Sequence, residues 1–148
     1  MTNIIILFCS ILAGFLVGKH FEKRQMQREQ FLGDLSRYVK LLKNNVIGRR
    51  VEWDKFNQQF ECSCSCVFAK FLHDNNSIAF LTKTQRQMVQ SLFSSLSVTT
   101  SVQMISNLDY YEQLISAEWE AVSNLTRNRD VAVKLGVLLG VMAGILLM

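Results

Sequence analysis

The sequence predicts an all-α protein: a small cytoplasmic helical bundle held between an N-terminal and a C-terminal transmembrane helix. Three observations predict it. Proline is absent, and of seven glycines only Gly33 and Gly48 fall between residues 19 and 130, so the middle of the chain has few helix breakers. Apolar residues there recur at three- and four-residue spacing, without convincing period-two alternation. Uncharged aliphatic runs occupy both extremes, IIILFCSILAGFLVG from Ile4 and LGVLLGVMAGILLM from Leu135. The expected organisation is a membrane helix over 4–18, a helical domain over 19–130 and a second membrane helix over 131–148.

The first run has 15 uncharged residues, about 22 Å of helix at roughly 1.5 Å per residue. A hydrocarbon core is about 30 Å thick, so spanning needs bilayer thinning or snorkelling. A cleaved signal peptide would have a cationic start and a small-x-small cleavage site. Met1-Thr2-Asn3 has no cationic side chain, and the run ends in GKHFEKR, without such a site. An uncleaved anchor is therefore expected. The second run reaches similar length from Val131 if Lys134 snorkels to the interface. Lys19, Lys23, Arg24 and Arg28 follow the first run, and Arg127, Arg129 and Lys134 flank the second. Cations stay on the cytoplasmic side, which predicts a cell-membrane hairpin with a cytoplasmic middle and both termini outside. The first four could also hold anionic lipid head groups.

Small residues repeat at every fourth position in both runs: Ser10, Gly14 and Gly18 in one, Gly136, Gly140 and Gly144 in the other. Helices in lipid gain nothing hydrophobic by associating and need close backbone approach, which such stripes allow. Whether the stripes meet each other or another subunit, as in a homo-oligomer, the sequence leaves open.

The middle section reads as four further helical segments. Phe31, Leu35, Tyr38, Leu42 and Val46 form one stripe, so the first anchor is expected to run directly into this helix and turn at Gly48-Arg49-Arg50. Trp53, Phe56 and Phe60 mark a second helix. Val67, Phe68, Phe71 and Leu72 mark a third or its continuation, and HDNNS (73–77) is a loop by composition. Thr84 with Gln87 fits a capping box before Val89, Leu92, Phe93 and Leu96. After SVTTS, a helix from about Ser101 uses Val102, Ile105, Leu108, Ile115, Trp119 and Val122. Trp53 and Trp119 are expected in the core.

Little here points to catalysis. ECSCSC holds Cys62, Cys64 and Cys66 at spacing two, without the paired C-x-x-C that zinc sites use. On a helix Cys64 would project about 200° from its neighbours and join the Phe60 and Phe68 face as a small apolar filler. GFLVGK has three residues between its glycines where a phosphate loop needs four, and no Ser or Thr follows the lysine. His20 and His73 are isolated. Asp109, Glu112, Glu118 and Glu120 make the last helix of the domain locally acidic, a solvated face or a docking surface for a basic partner. Basic residues crowd the membrane-proximal ends, which disfavours nucleic acid. No enzyme activity, metal or cofactor is expected.

The layout and several strings resemble the stage III sporulation protein AB family, itself similar to the F-type inner-membrane platform proteins of type II secretion and type IV pilus machines. Lys134-Leu135-Gly136-Val137-Leu138-Leu139-Gly140, followed by aliphatics, is similar to that family's Leu-Gly-x-x-x-Gly ending. FSSLSVTTSVQ (93–103) resembles its Phe-x-x-x-Leu-Gly-x-x-Asp stretch, with Ser97 in place of the glycine and the acidic residue missing. NVIGRRVEW (45–53) lacks the proline of the family's corresponding segment. The resemblance implies a non-enzymatic platform subunit of a mother cell–forespore channel, beside a secretion-type ATPase and other channel subunits. Two other classes compete: a membrane-tethered thiol or metal module on the three cysteines, and a small pore former.

Overall fold

The computed structural model describes residues 2–48, 53–74, 78–98, 101–127 and 129–146, and their side chains except at 2–7, 47–48, 97–98, 101–102, 129–130 and 132. Six helices and no strand occur among them: α1 Thr2–Gly48, α2 Trp53–Glu61, α3 Cys66–His73, α4 Lys83–Val98, α5 Ser101–Arg127 and α6 Arg129–Leu146. The chain is all-α. Arg49 and Arg50 of the expected turn lie outside the described residues, as do Asn75–Ser77 of the expected loop, Thr99, Thr100, and the side chain of Val102. The helices form two compact units, residues 27–121 and residues 1–26 with 122–148.

In the unit formed by residues 27–121, α1 supplies the central stripe. Phe31, Leu32, Leu35, Val39 and Leu42 are fully buried and Tyr38 nearly so. The two neighbours the stripe lacks in the sequence pattern, Leu32 and Val39, widen it into the broad apolar face that a helix covered from several sides requires. Val46, at its end, is only half-buried. Aromatic rings close around this face. Tyr38 lies 5.1 Å from both Phe56 and Phe60, ring centre to ring centre, and 5.6 Å from Phe68. Phe31 meets Phe68 at 5.2 Å and Phe71 edge-on at 5.3 Å. Tilted and edge-on pairs of this kind add about 0.5–1.5 kcal/mol each beyond area burial. Val89 and Leu92 of α4, with Leu108 and Ile115 of α5, complete the core.

Two local expectations are corrected, and one choice left open is decided. Cys62–Ser65 is the turn between α2 and a separate α3. Ser65 caps α3 by accepting from the Phe68 N–H at 3.4 Å, and its own N–H donates to Asp34 Oδ2 at 2.8 Å. The turn's backbone bonds thus go to a cap and to α1, which outweighs continuing the helix through a Ser-rich stretch. The capping box at α4 is formed by Thr82 and Gln85, not Thr84 and Gln87: the Gln85 N–H donates to Thr82 Oγ1 and the Thr82 N–H to Gln85 Oε1, both at 3.3 Å. TKTQ and TQRQ both fit the motif, and the earlier pair wins because Gln85 is buried and also bonds to Glu118. Trp53 and Trp119 are 36% and 37% exposed, not core. Trp119 instead lies over Gly33, where an added Cβ would stand 3.2 Å from the indole Nε1.

The other unit pairs the first half of α1 with α6 and the end of α5. Thr126, buried there, donates its hydroxyl to the Val122 carbonyl at 2.9 Å. The spans expected over 4–18 and 131–148 fall on α1 and α6. Among the described residues, however, no helix is long and apolar enough to cross a membrane. The uncharged stretch of α1 stops at Lys19, and that of α6 begins only after Lys134.

Candidate interaction surfaces

The contact between α1 and α6 is made by backbone. A Cβ added to Gly14 would overlap the Gly136 carbonyl oxygen; one on Gly136 would stand 2.7 Å from the Gly14 oxygen, and one on Gly140 2.6 Å from the Ser10 oxygen. No real Cβ sits so close, so these positions admit only hydrogen. The structure thus brings Ser10, Gly14, Gly18, Gly136 and Gly140 together, the Gly136 Cβ position being 3.3 Å from Gly18 Cα. Gly18, Gly140 and Gly144 are buried. Around this seam the pair turns large apolar side chains outward. Phe8, Val17, Leu139 and Ile145 are each more than 60% exposed, and Leu12, Leu16, Leu135, Leu138 and Met142 more than half.

That arrangement reverses the usual order of a water-soluble helix pair, which hides its bulky side chains and shows small or polar ones. Contiguous exposed apolar surface of this kind is, in general, a mark of interaction sites.

The candidate topology-setting cations divide between the units. Lys19, Lys23, Arg24, Arg127 and Lys134 are exposed in the hairpin unit, and Lys19 pairs with Glu22 at 3.2 Å. Arg28 is half-buried and belongs to the other unit; the Arg129 side chain lies outside the described residues.

The candidate docking carboxylates are largely engaged within the chain. Lys43 of α1 forms ion pairs with Asp109 and with Glu112, the latter at 3.3 Å. Hydrogen bonds to Asp109 and then Glu112 hold the Lys43 ammonium above its ordinary pKa. Glu118 accepts from Gln85 Nε2 at 2.8 Å. Glu120 is exposed. Most of the acidity of α5 therefore ties α5 to α1 and α4.

The three clustered cysteines are free thiols; Cys62 and Cys66 are exposed and Cys64 half-buried. Burial, then the Asp34 carboxylate, pushes the Cys64 thiol above its ordinary pKa, away from the reactive thiolate. Among the described residues no group of three or more His, Cys, Asp or Glu is placed to hold a metal ion. His73 pairs with Glu61 at 2.7 Å, joining the ends of α3 and α2. Cys9 is exposed on α1.

A shallow cleft of about 280 Å³ is lined by Tyr38, Trp53, Asn57, Phe93 and Leu96. Its floor is fixed by the Tyr38 hydroxyl, which donates to Asn57 Oδ1 at 2.8 Å. Burial pushes the Tyr38 phenol up to about 12. Nucleophile, base and oxyanion donors do not converge there.

Sequence reasoning missed Gln85, Asp34, Lys43 and Gly33. The duplicated T-x-x-Q was a signal for Gln85; the other three depend on which helices become neighbours, which local spacing does not encode. Searches against protein-family models, curated proteins and solved structures find no match.

Proposed function

We propose that this chain is a non-enzymatic assembly subunit held at a membrane by the α1–α6 hairpin, with the helical unit of residues 27–121 offered to partner proteins. The observation that carries the reading is the inverted hairpin: glycine backbone against glycine backbone inside, bulky aliphatics outside. In water the exposed side chains would cost about 25 cal/mol per Å² of apolar surface. In lipid that cost vanishes, and close backbone packing becomes the favourable term. Each apolar stretch is shorter than a full hydrocarbon core, so the hairpin sits in a locally thinned bilayer with lysines reaching to the head groups. The cation positions then put the helical unit on the cytoplasmic side and both termini outside.

On the family resemblance of the Leu135–Gly140 ending, the complex served is a sporulation channel between mother cell and forespore, and the partners are a secretion-type ATPase and other channel subunits. Such a platform needs no catalytic group of its own. The test is fractionation of full-length protein expressed without a fusion. After carbonate washing and high-speed centrifugation it should stay in the membrane pellet and leave it only with detergent. Protein that remains in the detergent-free supernatant would end the membrane reading. Replacing Cys62, Cys64 and Cys66 together by serine should leave complex assembly intact; loss of assembly with normal helicity would favour a thiol module instead.

A further inference from the structure

We infer that the hairpin carries a basic collar that selects anionic phospholipid around itself, an inference that rests on the membrane reading above. Its basis is how charge divides between the two units. Residues 1–26 and 122–148 hold six Lys and Arg against two Asp and Glu, while residues 27–121 hold ten of each. The whole net charge of +4 therefore belongs to the hairpin unit, and the larger helical unit is neutral. Within the hairpin the segregation is sharper still. Residues 1–18 and 135–148 contain no Asp, Glu, Lys, Arg or His, so every charge lies in 19–26 and 122–134.

The contacts of Gly14 with Gly136 and Gly140, and of Gly136 with Gly18, run antiparallel. That register sets Lys19 level with Lys134, at the point where both apolar stretches stop. Lys23 and Arg24 lie about one turn further along α1, and all four side chains are exposed. An apolar plug that ends abruptly in cations from both helices is complementary to a leaflet whose acyl chains end in phosphates. Orientation alone needs only a bias in charge between the two sides. A collar drawn from both helices goes further, because each lysine or arginine near the surface favours anionic over zwitterionic lipid. Lys19 pairs with Glu22 at 3.2 Å, and Lys23, Arg24, Arg127 and Lys134 supply the other exposed cations of the collar.

The experiment is spin-label electron resonance on full-length protein in phosphatidylcholine vesicles doped with trace spin-labelled phosphatidylglycerol or phosphatidylcholine. The motionally restricted lipid at the protein surface should favour phosphatidylglycerol by at least about threefold. The preference should shrink steadily as salt rises towards 1 M, where the Debye length is about 3 Å. The combined variant Lys23→Gln, Arg24→Gln, Arg127→Gln and Lys134→Gln should bring it to within about twofold of unity. Replacing Lys55, Lys70 and Lys83 together by Gln should leave it unchanged. A restricted signal of equal strength for both lipids, or a preference insensitive to salt in the unaltered protein, overturns the collar while leaving the membrane reading intact. No restricted signal from either lipid overturns both.

Discussion

Gln85 does two things with one side chain. Its Oε1 accepts from the Thr82 N–H, which completes the cap at the start of α4, and its Nε2 donates to Glu118 on α5, while the residue is 2% exposed. A buried amide is stabilising only while its partners are present, because an unpaired one costs about 1–3 kcal/mol. Gln85→Ala removes the amide, takes away one of the two cap bonds and leaves Glu118 without this donor. It should lower unfolding free energy by about 2–3 kcal/mol, read as a shift in urea midpoint of the detergent-solubilised protein. A shift below about 0.5 kcal/mol would mean that water replaces those bonds at no loss.

Tyr38 gives a second test at this scale. Its phenol is raised from 10 to about 12 by burial. The unfolded chain therefore loses this proton first as pH rises. The stability contribution is complete below pH 10 and falls away between 10 and about 12. Absorbance near 295 nm should show one tyrosine titrating last, and Tyr38→Phe should abolish that late step. The cysteines supply a third. At pH 7.5, Cys62 and Cys66 should react with a maleimide several-fold faster than Cys64, whose thiol is held protonated by burial and by Asp34. Equal rates, compared in single-cysteine variants, would show the turn to be open.

At the scale of elements, the seam between α1 and α6 tolerates no added atom. Gly14→Ala or Gly140→Ala inserts a methyl group against backbone, which cannot rotate away as a side chain could. Each should cost about 1–3 kcal/mol of hairpin stability, seen as a lower aggregation temperature in mild detergent. Ala13→Gly, on the exposed side of the same turn, should change it by no more than about 1 kcal/mol. Helix propensity alone would make the two alanine substitutions stabilising, so a gain rather than a loss at Gly14 and Gly140 would overturn the tight seam.

The elements were also the most legible level of the sequence. The stripe from Phe31 to Leu42 read directly as a buried helix face, because residues four apart on a helix share one side whatever lies opposite. The small-residue repeats read as close-packing surfaces for the same reason. What local spacing could not say was which partner each surface meets. Gly14 finds Gly136, Lys43 finds Asp109 and Glu112, and Trp119 covers Gly33 instead of entering the core; each of these joins distant parts of the chain. The cap of α4 was displaced to Thr82 because the choice between two overlapping motifs is made by Glu118, far along the chain. The turn at Cys62–Ser65 and a continued helix stayed equally open because the bond that holds the turn comes from Asp34 on another helix.

At the scale of the whole molecule, the chain divides by the chemistry its two units expose. Residues 27–121 build an aromatic core beneath a charge-balanced surface, whereas the remaining residues expose aliphatics and carry all the net charge. With the membrane reading proposed above, the cation positions predict a topology. A reporter inserted near residue 75 should be active only inside the cell, and one fused after Met148 only outside. The same compartment for both would overturn the two-helix insertion even if the protein still pellets with membranes.

The glycine seam also governs how the protein is made. Gly14 and Gly18 leave the ribosome early, but Gly136, against which they fit, is encoded 118 residues after Gly18. At about 5–20 residues per second, the first apolar helix waits roughly 6–24 s before its mate exists. On the membrane reading proposed above, shelter for its exposed aliphatic flank during that interval falls to the insertion machinery or a chaperone.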